Sequence, residues 1–178
     1  MGAGKTSVGR ALGERLNWVF EDLDDRIVRR EGRAVSEIFR DAGESVFRQI
    51  EHQTLQQVLG ELGGGVVRVV ALGGGAFAEA KNATALKAAG VPTVFLDAPV
   101  EELWRRCQKQ AGESGAQRPL LQNESQFRDL HAARKRSYSG AALRVKTGGR
   151  AVEEIAAEIA RKLQLKRITV RTEQGENE

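Results

Sequence analysis

Stretches with helical spacing alternate with short runs of β-branched and aromatic residues along most of this chain. This alternation favours an α/β fold with a parallel sheet, since helices then serve as right-handed crossovers between strands. Ligands of such folds bind beyond the carboxyl ends of the strands. We predict strands at residues 18–21, 66–72, 93–96 and 143–146.

The predicted helices occupy most of the remaining chain. With 178 residues, of which 40% are hydrophobic, the chain is long enough for one domain with a core and short for two. We predict a single domain over residues 1–178, a loop that closes over a site at about 111–123, and a polar tail at 171–178. The predicted helices span residues 5–16, 23–31, 36–42, 44–62, 80–89, 100–110, 124–138 and 151–163.

The composition excludes several classes of protein. No apolar run reaches the roughly 18 residues of a membrane span, because Arg68 interrupts the best one. No apolar segment follows a basic start, so we expect no signal peptide. A single cysteine, Cys107, rules out a disulfide framework. We therefore expect a cytoplasmic protein that contacts no membrane.

The basic residues favour small anionic ligands. They outnumber the acidic residues by 28 to 24, and 20 of them are arginine, whose planar fork binds carboxylate and phosphate groups. Most of these arginines are expected on solvated helix faces. Aromatic residues make up only 5% of the chain and do not alternate with basic runs, so a platform for stacking bases is not indicated. We expect no nucleic-acid partner.

A phosphate-binding loop is the strongest local motif. The sequence from Gly2 to Thr6, Gly-Ala-Gly-Lys-Thr, leads directly into a predicted helix. Backbone N–H groups in such a loop form an anion cradle with the helix N-terminus. Lys5 would reach the β- and γ-phosphates of a nucleotide, and the Thr6 hydroxyl would bind Mg²⁺.

The full pattern, G-x-x-x-x-G-K-[ST], has its first glycine and a preceding hydrophobic strand before Met1. We hypothesise that the chain begins inside its own motif, through a misplaced start or a truncation. The preceding strand is normally central in a parallel sheet. We therefore expect exposed strand edges and exposed apolar surface.

Two carboxylates, Asp22 and Asp24, stand at the end of the first predicted strand. Strand alternation would place them on the same side. Magnesium-dependent phosphoryl transfer needs one carboxylate near the water shell of the metal and another beside the attacking hydroxyl. An acidic cluster that only caps the next helix is the alternative, and the phosphate loop favours the catalytic interpretation.

Three glycines, Gly73, Gly74 and Gly75, follow the second predicted strand. Without side chains, their amides can approach a ligand closely, although a flexible turn is the alternative. No acidic residue ends this strand. Asp22 is therefore the carboxylate that we expect to serve the metal.

These motifs together resemble the shikimate kinases, which are small P-loop kinases of the nucleoside-monophosphate-kinase-like fold. The resemblance implies a three-layer α/β/α architecture with a parallel sheet in the strand order 2-3-1-4-5, of which strand 1 is absent from this chain. The matching segments are GAGKTSVGRAL (2–12), DLD (22–24), GRAVSEIFRDAGESVFRQIE (32–51), VVALGGG (69–75), RPLL (118–121) and RKRSY (134–138).

The resemblance implies an ATP- and Mg²⁺-dependent kinase that phosphorylates the 3-hydroxyl of shikimate, in chorismate and aromatic amino acid biosynthesis. Its substrates would be the small molecules shikimate and ATP, and we expect a monomer. Helices at about 32–62 would bind shikimate. The phosphates of ATP would be held by Gly2, Ala3, Gly4, Lys5, Thr6 and Ser7.

The resemblance also implies roles for individual side chains. Thr6 would bind Mg²⁺ directly and Asp22 through water, while Asp24 would bind the reacting hydroxyl and act as base. Arg48 and Arg134 would hold the shikimate carboxylate. The glycines Gly73 to Gly75, Gly74 above all, would bind a ring hydroxyl through their backbone.

Three further arginines receive roles from the resemblance. Arg118, in the closing loop, would approach the phosphates and stabilise the transferred charge. Arg106 and Arg150 would flank the adenine. The family often has R-x-P-L-Y where this chain has RKRSY, from Arg134 to Tyr138.

Other functions compete with this one. A different small-metabolite kinase of the same fold, such as a gluconate kinase, would also meet a hydroxy acid. A protein of a different class, which binds a nucleotide or a partner without catalysis, is also compatible with an incomplete phosphate loop. A nucleic-acid-binding module ranks third.

Overall fold

The computed structural model describes residues 2–114 and 123–168, without the side chains of residues 110–114. Helices and strands alternate along these residues as the sequence predicts. The strands are β1 (Val19–Asp22), β2 (Arg68–Ala71), β3 (Val94–Asp97) and β4 (Leu143–Lys146). The helices are α1 (Lys5–Leu16), α2 (Leu23–Glu31), α3 (Val35–Gly63), α4 (Ala80–Ala88), α5 (Val100–Ser114), α6 (Glu124–Tyr138) and α7 (Val152–Lys162).

The four strands form two separate parallel pairs. In one pair, β1 lies beside β2 with Asp22 opposite Ala71, and in the other β3 lies beside β4 with Asp97 opposite Lys146. Within the described residues, β2 and β3 are not paired with each other. In the strand order 2-3-1-4-5 that the resemblance implies, β1 and β2 correspond to strands 2 and 3, and β3 and β4 correspond to strands 4 and 5.

The buried apolar side chains form two main clusters, one on each side of the strands. The first joins α1 and α7 to β3 and β4, with Val8, Leu12 and Ile159 among its members. The second joins α2, α3 and α4, with Ile27 and Leu55 among its members. A cavity of about 820 Å³ lies between β2 and β3 and is lined by residues of both clusters.

Local backbone chemistry sets the ends of α1 and α2. Gly4 precedes α1 and Asn17 follows it, both in the left-handed conformation, with φ of 80° and 57°. The Asp22 carboxylate accepts a hydrogen bond from the Asp24 amide and caps α2, which ends at Gly32 with φ of 65°. The predicted bounds 5–16 and 23–31 are therefore confirmed.

A kink divides the long helix α3. Gly43 has φ of 82° and ψ of 171° inside the helix, a conformation that glycine adopts readily. The sequence predicts two helices that meet at this residue, and the kink corresponds to that break. The segment before it carries Ile38 and the segment after it carries Phe47, both in the same apolar cluster.

Two predicted elements, the strand at 66–72 and the helix at 100–110, have other bounds in the structure. The strand expected at 66–72 is only Arg68–Ala71, because Val66 and Val67 are exposed beyond the pairing with β1. Helix α5 continues to Ser114, so the first residues of the predicted closing loop are helical. Residues 115–122 of that loop and the tail at 171–178 lie outside the described residues. No helix of the described part of the chain is long and apolar enough to cross a membrane.

Candidate active site

The phosphate loop turns tightly before α1 begins at Lys5. Gly2 has φ of 64°, and a Cβ atom added there would lie 2.5 Å from the carbonyl oxygen of Leu103. Gly4 has φ of 80°. Gly2 is therefore required for both space and conformation, and Gly4 is required for conformation. Ala3, between them, packs against the apolar clusters of α1 and α5, and Ser7 is exposed in the first turn of α1.

Thr6 and Asp22 meet across the end of β1. The Thr6 hydroxyl donates a hydrogen bond to Asp22 Oδ2 at 3.2 Å. The structure thus brings together the two residues to which the sequence analysis assigns Mg²⁺. A hydroxyl and a carboxylate oxygen at this distance are hard oxygen donors, which suit Mg²⁺ with several waters in its shell. The donor set therefore fits the ion.

Asp24 lies in the first turn of α2 and not on the strand, so the prediction from strand alternation is wrong. The capping turn at Asp22 brings the two carboxylates to the same end of the strand instead. Burial raises the pKa of the Asp24 carboxyl, and the negative charge of Asp22 raises it further. Lys5 opposes this shift with its positive charge. With its raised pKa, Asp24 is better suited to accept a proton than a carboxylate of ordinary pKa.

The glycines after β2 pack directly against the acidic and basic side chains. A Cβ atom added at Gly73 would lie 2.8 Å from Asp24 Oδ1 and 3.0 Å from Glu51 Oε1. A Cβ atom added at Gly75 would lie 2.5 Å from Arg48 Nη2. Absence of side chains at these two positions is therefore what lets the loop and the charged groups share one site.

Arg48 is held between two glutamates of its own helix. Its Nη1 donates to Glu51 Oε2 at 2.8 Å, and its Nη2 donates to Glu44 Oε1 at 3.0 Å. The Arg48 side chain is only 12% exposed. These contacts fix the plane of the guanidinium beside Gly75.

Glu51 lies in the same site, and the sequence analysis did not single it out. The residue is fully buried, and its Oε1 atom has no hydrogen-bond partner among the described residues. Burial raises the pKa of its carboxyl, although the bond from Arg48 works against that shift. An unpaired buried oxygen next to Asp24 and Gly73 is one that a bound hydroxyl or water can satisfy. The spacing of three residues from Arg48 was the signal that could have identified it.

Arg134 and Tyr138 reach the same site from α6. Burial lowers the pKa of the Arg134 guanidinium, and the nearby charge of Arg48 contributes to the same shift. Two neighbouring cations that are largely removed from water favour an anionic ligand. The Tyr138 hydroxyl donates a hydrogen bond to the carbonyl oxygen of Gly74. Arg136, two residues from Arg134, is exposed.

Arg106 contacts Glu102, and the loop that carries Arg150 packs against the same glutamate. Arg106 forms an ion pair with Glu102 and donates to the Gly2 carbonyl oxygen at 3.4 Å. A Cβ atom added at Gly148, in the loop that holds Arg150, would lie 3.0 Å from Glu102 Oε2. Arg150 donates to Glu158 at 2.6 Å and to the Lys146 carbonyl oxygen at 2.9 Å. Arg118 lies outside the described residues.

Comparison with known proteins identifies this arrangement. The family model for shikimate kinase matches residues 1–164. The chain belongs to the shikimate kinase family. The shikimate kinase of Persephonella marina is 36% identical over 160 residues, which cover 89% of this chain and 92% of the relative. That of Streptomyces avermitilis is 41% identical over 169 residues, which cover 93% of this chain and 92% of the relative.

Solved structures of the family share the fold. Shikimate kinase from Acinetobacter baumannii in complex with shikimate matches with a TM-score of 0.79 at 34% identity, covering 92% of this chain and 88% of that one. Shikimate kinase from Aquifex aeolicus matches with a TM-score of 0.74 at 32% identity, covering 92% and 91%. The predicted α/β P-loop kinase fold is therefore confirmed. The family also decides against the gluconate kinase alternative, and the activity is transfer of a phosphoryl group to shikimate.

Proposed function

We propose that the site beyond the carboxyl ends of β1 and β2 binds shikimate between Asp24, Arg48 and Arg134, and receives the phosphoryl group of ATP from the loop at residues 2–7. The observation that carries this proposal is the convergence of the two arginines, the carboxylates of Asp24 and Glu51 and the glycine loop on one place. The complex of the Acinetobacter baumannii relative with shikimate supports the choice of ligand.

Asp24 is the base in this proposal. Its raised pKa brings the carboxylate nearer to the basicity that accepting a proton from a hydroxyl requires. Lys5, whose charge opposes that shift, favours the ionised form of the group. The role of Lys5 thus extends from phosphate binding to the charge state of the base.

Arg48 and Arg134 bind the carboxylate of shikimate. Arg48 can offer only part of its fork, because Nη1 is committed to the buried Glu51. Its Nε and Nη2 atoms face Glu44, whose side chain is 54% exposed and free to turn into solvent. A substrate carboxylate that replaces Glu44 would also relieve the repulsion between the two guanidiniums.

The backbone of Gly73 to Gly75 and the unpaired Glu51 oxygen are suited to ring hydroxyls. Tyr138 holds the Gly74 carbonyl oxygen, so that glycine does not turn freely. A ligand without a carboxylate would leave the partly buried Arg134 without an anionic partner from the ligand, next to the positive charge of Arg48. The resulting desolvation cost selects hydroxy acids over neutral polyols.

Thr6 and Asp22 would hold Mg²⁺, Thr6 by its hydroxyl and Asp22 through water. The ion, bound with ATP, would neutralise charge on the phosphates during transfer. The amides of residues 2–7 would hold the phosphates, and Arg118 would stabilise the charge that develops as the phosphoryl group moves. Arg106 and Arg150 would flank the adenine.

The experiment measures ADP release by the purified chain with Mg-ATP and, separately, shikimate, gluconate or a nucleoside monophosphate. Asp24→Asn tests the base, and Asp25→Asn is the matched control, because Asp25 is an exposed carboxylate in the same turn of α2. We expect release with shikimate only, lost in the first variant and kept in the second. A folded chain that binds ATP and releases no ADP would favour the non-catalytic nucleotide-binding alternative.

A further inference from the structure

The carbonyl groups of the glycine turn, residues 73–78, are held by hydrogen bonds to the rest of the protein. The Gly73 carbonyl oxygen accepts from the Ala76 amide at 3.1 Å, and the Gly74 carbonyl oxygen accepts from the Tyr138 hydroxyl. In a planar trans peptide, the carbonyl and the N–H that follows it point in opposite directions. Each fixed carbonyl group therefore also fixes the direction of the next amide in the turn.

Asn82, on α4, holds a further carbonyl group of the turn. Its side chain is fully buried, and its Nδ2 donates to the Ala76 carbonyl oxygen at 2.9 Å. The other end of the same amide, Oδ1, lies 2.7 Å from Nδ1 of His52 on α3. Since Nδ2 donates to Ala76, Oδ1 is the acceptor, and His52 Nδ1 carries the proton. A buried amide with a partner at each end is held in one orientation.

Helix α3 reaches the glycine turn in two ways. Directly, Arg48 packs against Gly75, where an added Cβ atom would lie 2.5 Å from Arg48 Nη2. Indirectly, His52, one helical turn after Arg48, holds Asn82, which in turn holds Ala76. The turn therefore cannot move along α3 unless the hydrogen bonds of Asn82 break or change length.

We infer that Asn82 and His52 are positioning residues for the substrate, which set the separation between the glycine turn and Arg48. The inference rests on the proposed shikimate site, in which the turn binds ring hydroxyls and Arg48 binds the carboxylate. A rigid ring presents these groups at a fixed separation, so a small shift of the turn weakens binding of shikimate. The nucleotide loop at residues 2–7 is a separate segment, and its affinity for ATP does not depend on this separation.

The matched variants His52→Leu and His52→Asn test the link at its partly buried end. Asparagine can place an N–H donor near the position of Nδ1, whereas leucine has no donor. We expect His52→Leu to raise the KM for shikimate about 5- to 30-fold, because the buried Asn82 loses a partner, with kcat and the KM for ATP little changed. His52→Asn should restore most of this loss, and Asn82→Leu should raise the KM for shikimate at least as much as His52→Leu.

Thr54→Val controls for a loss of stability alone. Thr54 is fully buried on the same helix, and its hydroxyl donates to the Ile50 carbonyl oxygen at 2.8 Å. We expect this variant to lower Tm and to leave the KM for shikimate unchanged. If His52→Leu also lowers Tm without changing the KM for shikimate, or raises the KM for both substrates equally, the link only stabilises the fold and the inference is overturned.

Hydrogen exchange measures the turn without catalysis. The Ala76 and Ala78 amides donate to the carbonyl oxygens of Gly73 and Gly75. We expect His52→Leu to speed exchange at these two amides about fivefold or more, and His52→Asn to change it little. Unchanged exchange in His52→Leu overturns the inference.

Arg48→Lys separates a failure of this inference from a failure of the proposed site. A KM for shikimate that rises in Arg48→Lys and not in His52→Leu overturns the inference alone. A KM for shikimate that is unchanged in Arg48→Lys overturns the proposed site, and the inference with it.

Discussion

Arg48 donates from both Nε and Nη2 to a single oxygen of Glu44, at 3.3 and 3.0 Å. The acceptor belongs to an exposed side chain, and Glu79, also exposed, lies 3.9 Å from Nε, whereas Glu51, which accepts from Nη1, is buried. One half of the guanidinium is therefore fixed and the other half is held by a group that can leave. Glu44 occupies the donors that a substrate carboxylate would use.

We expect Glu44→Gln to lower the KM for shikimate about two- to fivefold, with kcat and the KM for ATP unchanged. The size follows from the value of a partly exposed ion pair, about 0.3–1 kcal/mol. Steady-state kinetics with each substrate varied in turn measures it. Asp41→Asn is the control, since Asp41 pairs with Arg40 on an exposed part of the same helix. A higher KM for shikimate would mean that Glu44 positions Arg48 instead of competing for it.

Arg48→Lys keeps the charge and removes the fork. We expect the KM for shikimate to rise about 10- to 100-fold, the equivalent of one charge-assisted hydrogen bond or two, with ATP binding nearly intact. Substrate titrations of the variant, with nucleotide binding measured separately, distinguish the two effects. An equal loss of affinity for both substrates would indicate that Arg48 mainly supports the fold through Glu51.

The sequence predicted those features that depend on near neighbours in the chain. The ends of α1 and α2 and the break at Gly43 are set by caps and by left-handed glycines, which short motifs reveal. The contacts of Arg48 with Glu44 and Glu51 also follow a helical spacing, of four and three residues. The difference in burial between Glu44 and Glu51 does not follow from that spacing, because it depends on what packs against α3.

The remaining features depend on residues far apart in the chain. The bond from Tyr138 to Gly74 joins residues 64 positions apart, and no local pattern indicates it. The place of Asp24 was mistaken, because the strand ends at Asp22, which caps the next helix and puts Asp24 in its first turn. The resemblance to a family supplied Arg134, which spacing alone does not distinguish from the other arginines.

The pH dependence of the rate tests the environment of Asp24. The base must be ionised, so kcat/KM for shikimate rises with pH across the pKa of Asp24, and this limb lies above the ordinary value of 3.8. Asp22→Asn removes a charge that raises this pKa, and we expect the limb to move to lower pH. Rate profiles at saturating Mg²⁺ measure both. A limb that stays in place would mean that another group limits the rate.

The raised pKa of Asp24 also makes the free energy of unfolding depend on pH. The direction is opposite to that of a carboxylate in a salt bridge, whose pKa is lowered. Because the folded pKa of Asp24 is raised, the folded chain holds its proton to higher pH than the unfolded chain, and the free energy of unfolding falls as pH rises across that interval. We expect Asp24→Asn to raise Tm at pH 7 and to have little effect below pH 3.8. Thermal unfolding of both proteins across pH measures this, with Asp25→Asn as the control. A lower Tm at pH 7 would show that the ionised carboxylate stabilises the fold.

Thr6 and Asp22 are expected to act as a unit toward Mg²⁺, because their side chains share a hydrogen bond of 3.2 Å. Thr6→Val and Asp22→Asn should each raise the Mg²⁺ concentration for half-maximal activity about 10- to 100-fold. The double variant should lose less than the product of the two, since each change already disrupts the common ligand set. Titrating the activity of the unchanged chain, the two single variants and the double variant with Mg²⁺ at fixed ATP measures whether the losses multiply. Thr84→Val, at an exposed threonine of α4, is the matched control. Independent, multiplicative losses would place the two side chains in separate roles, with Asp22 acting through the cap of α2 and its effect on Asp24.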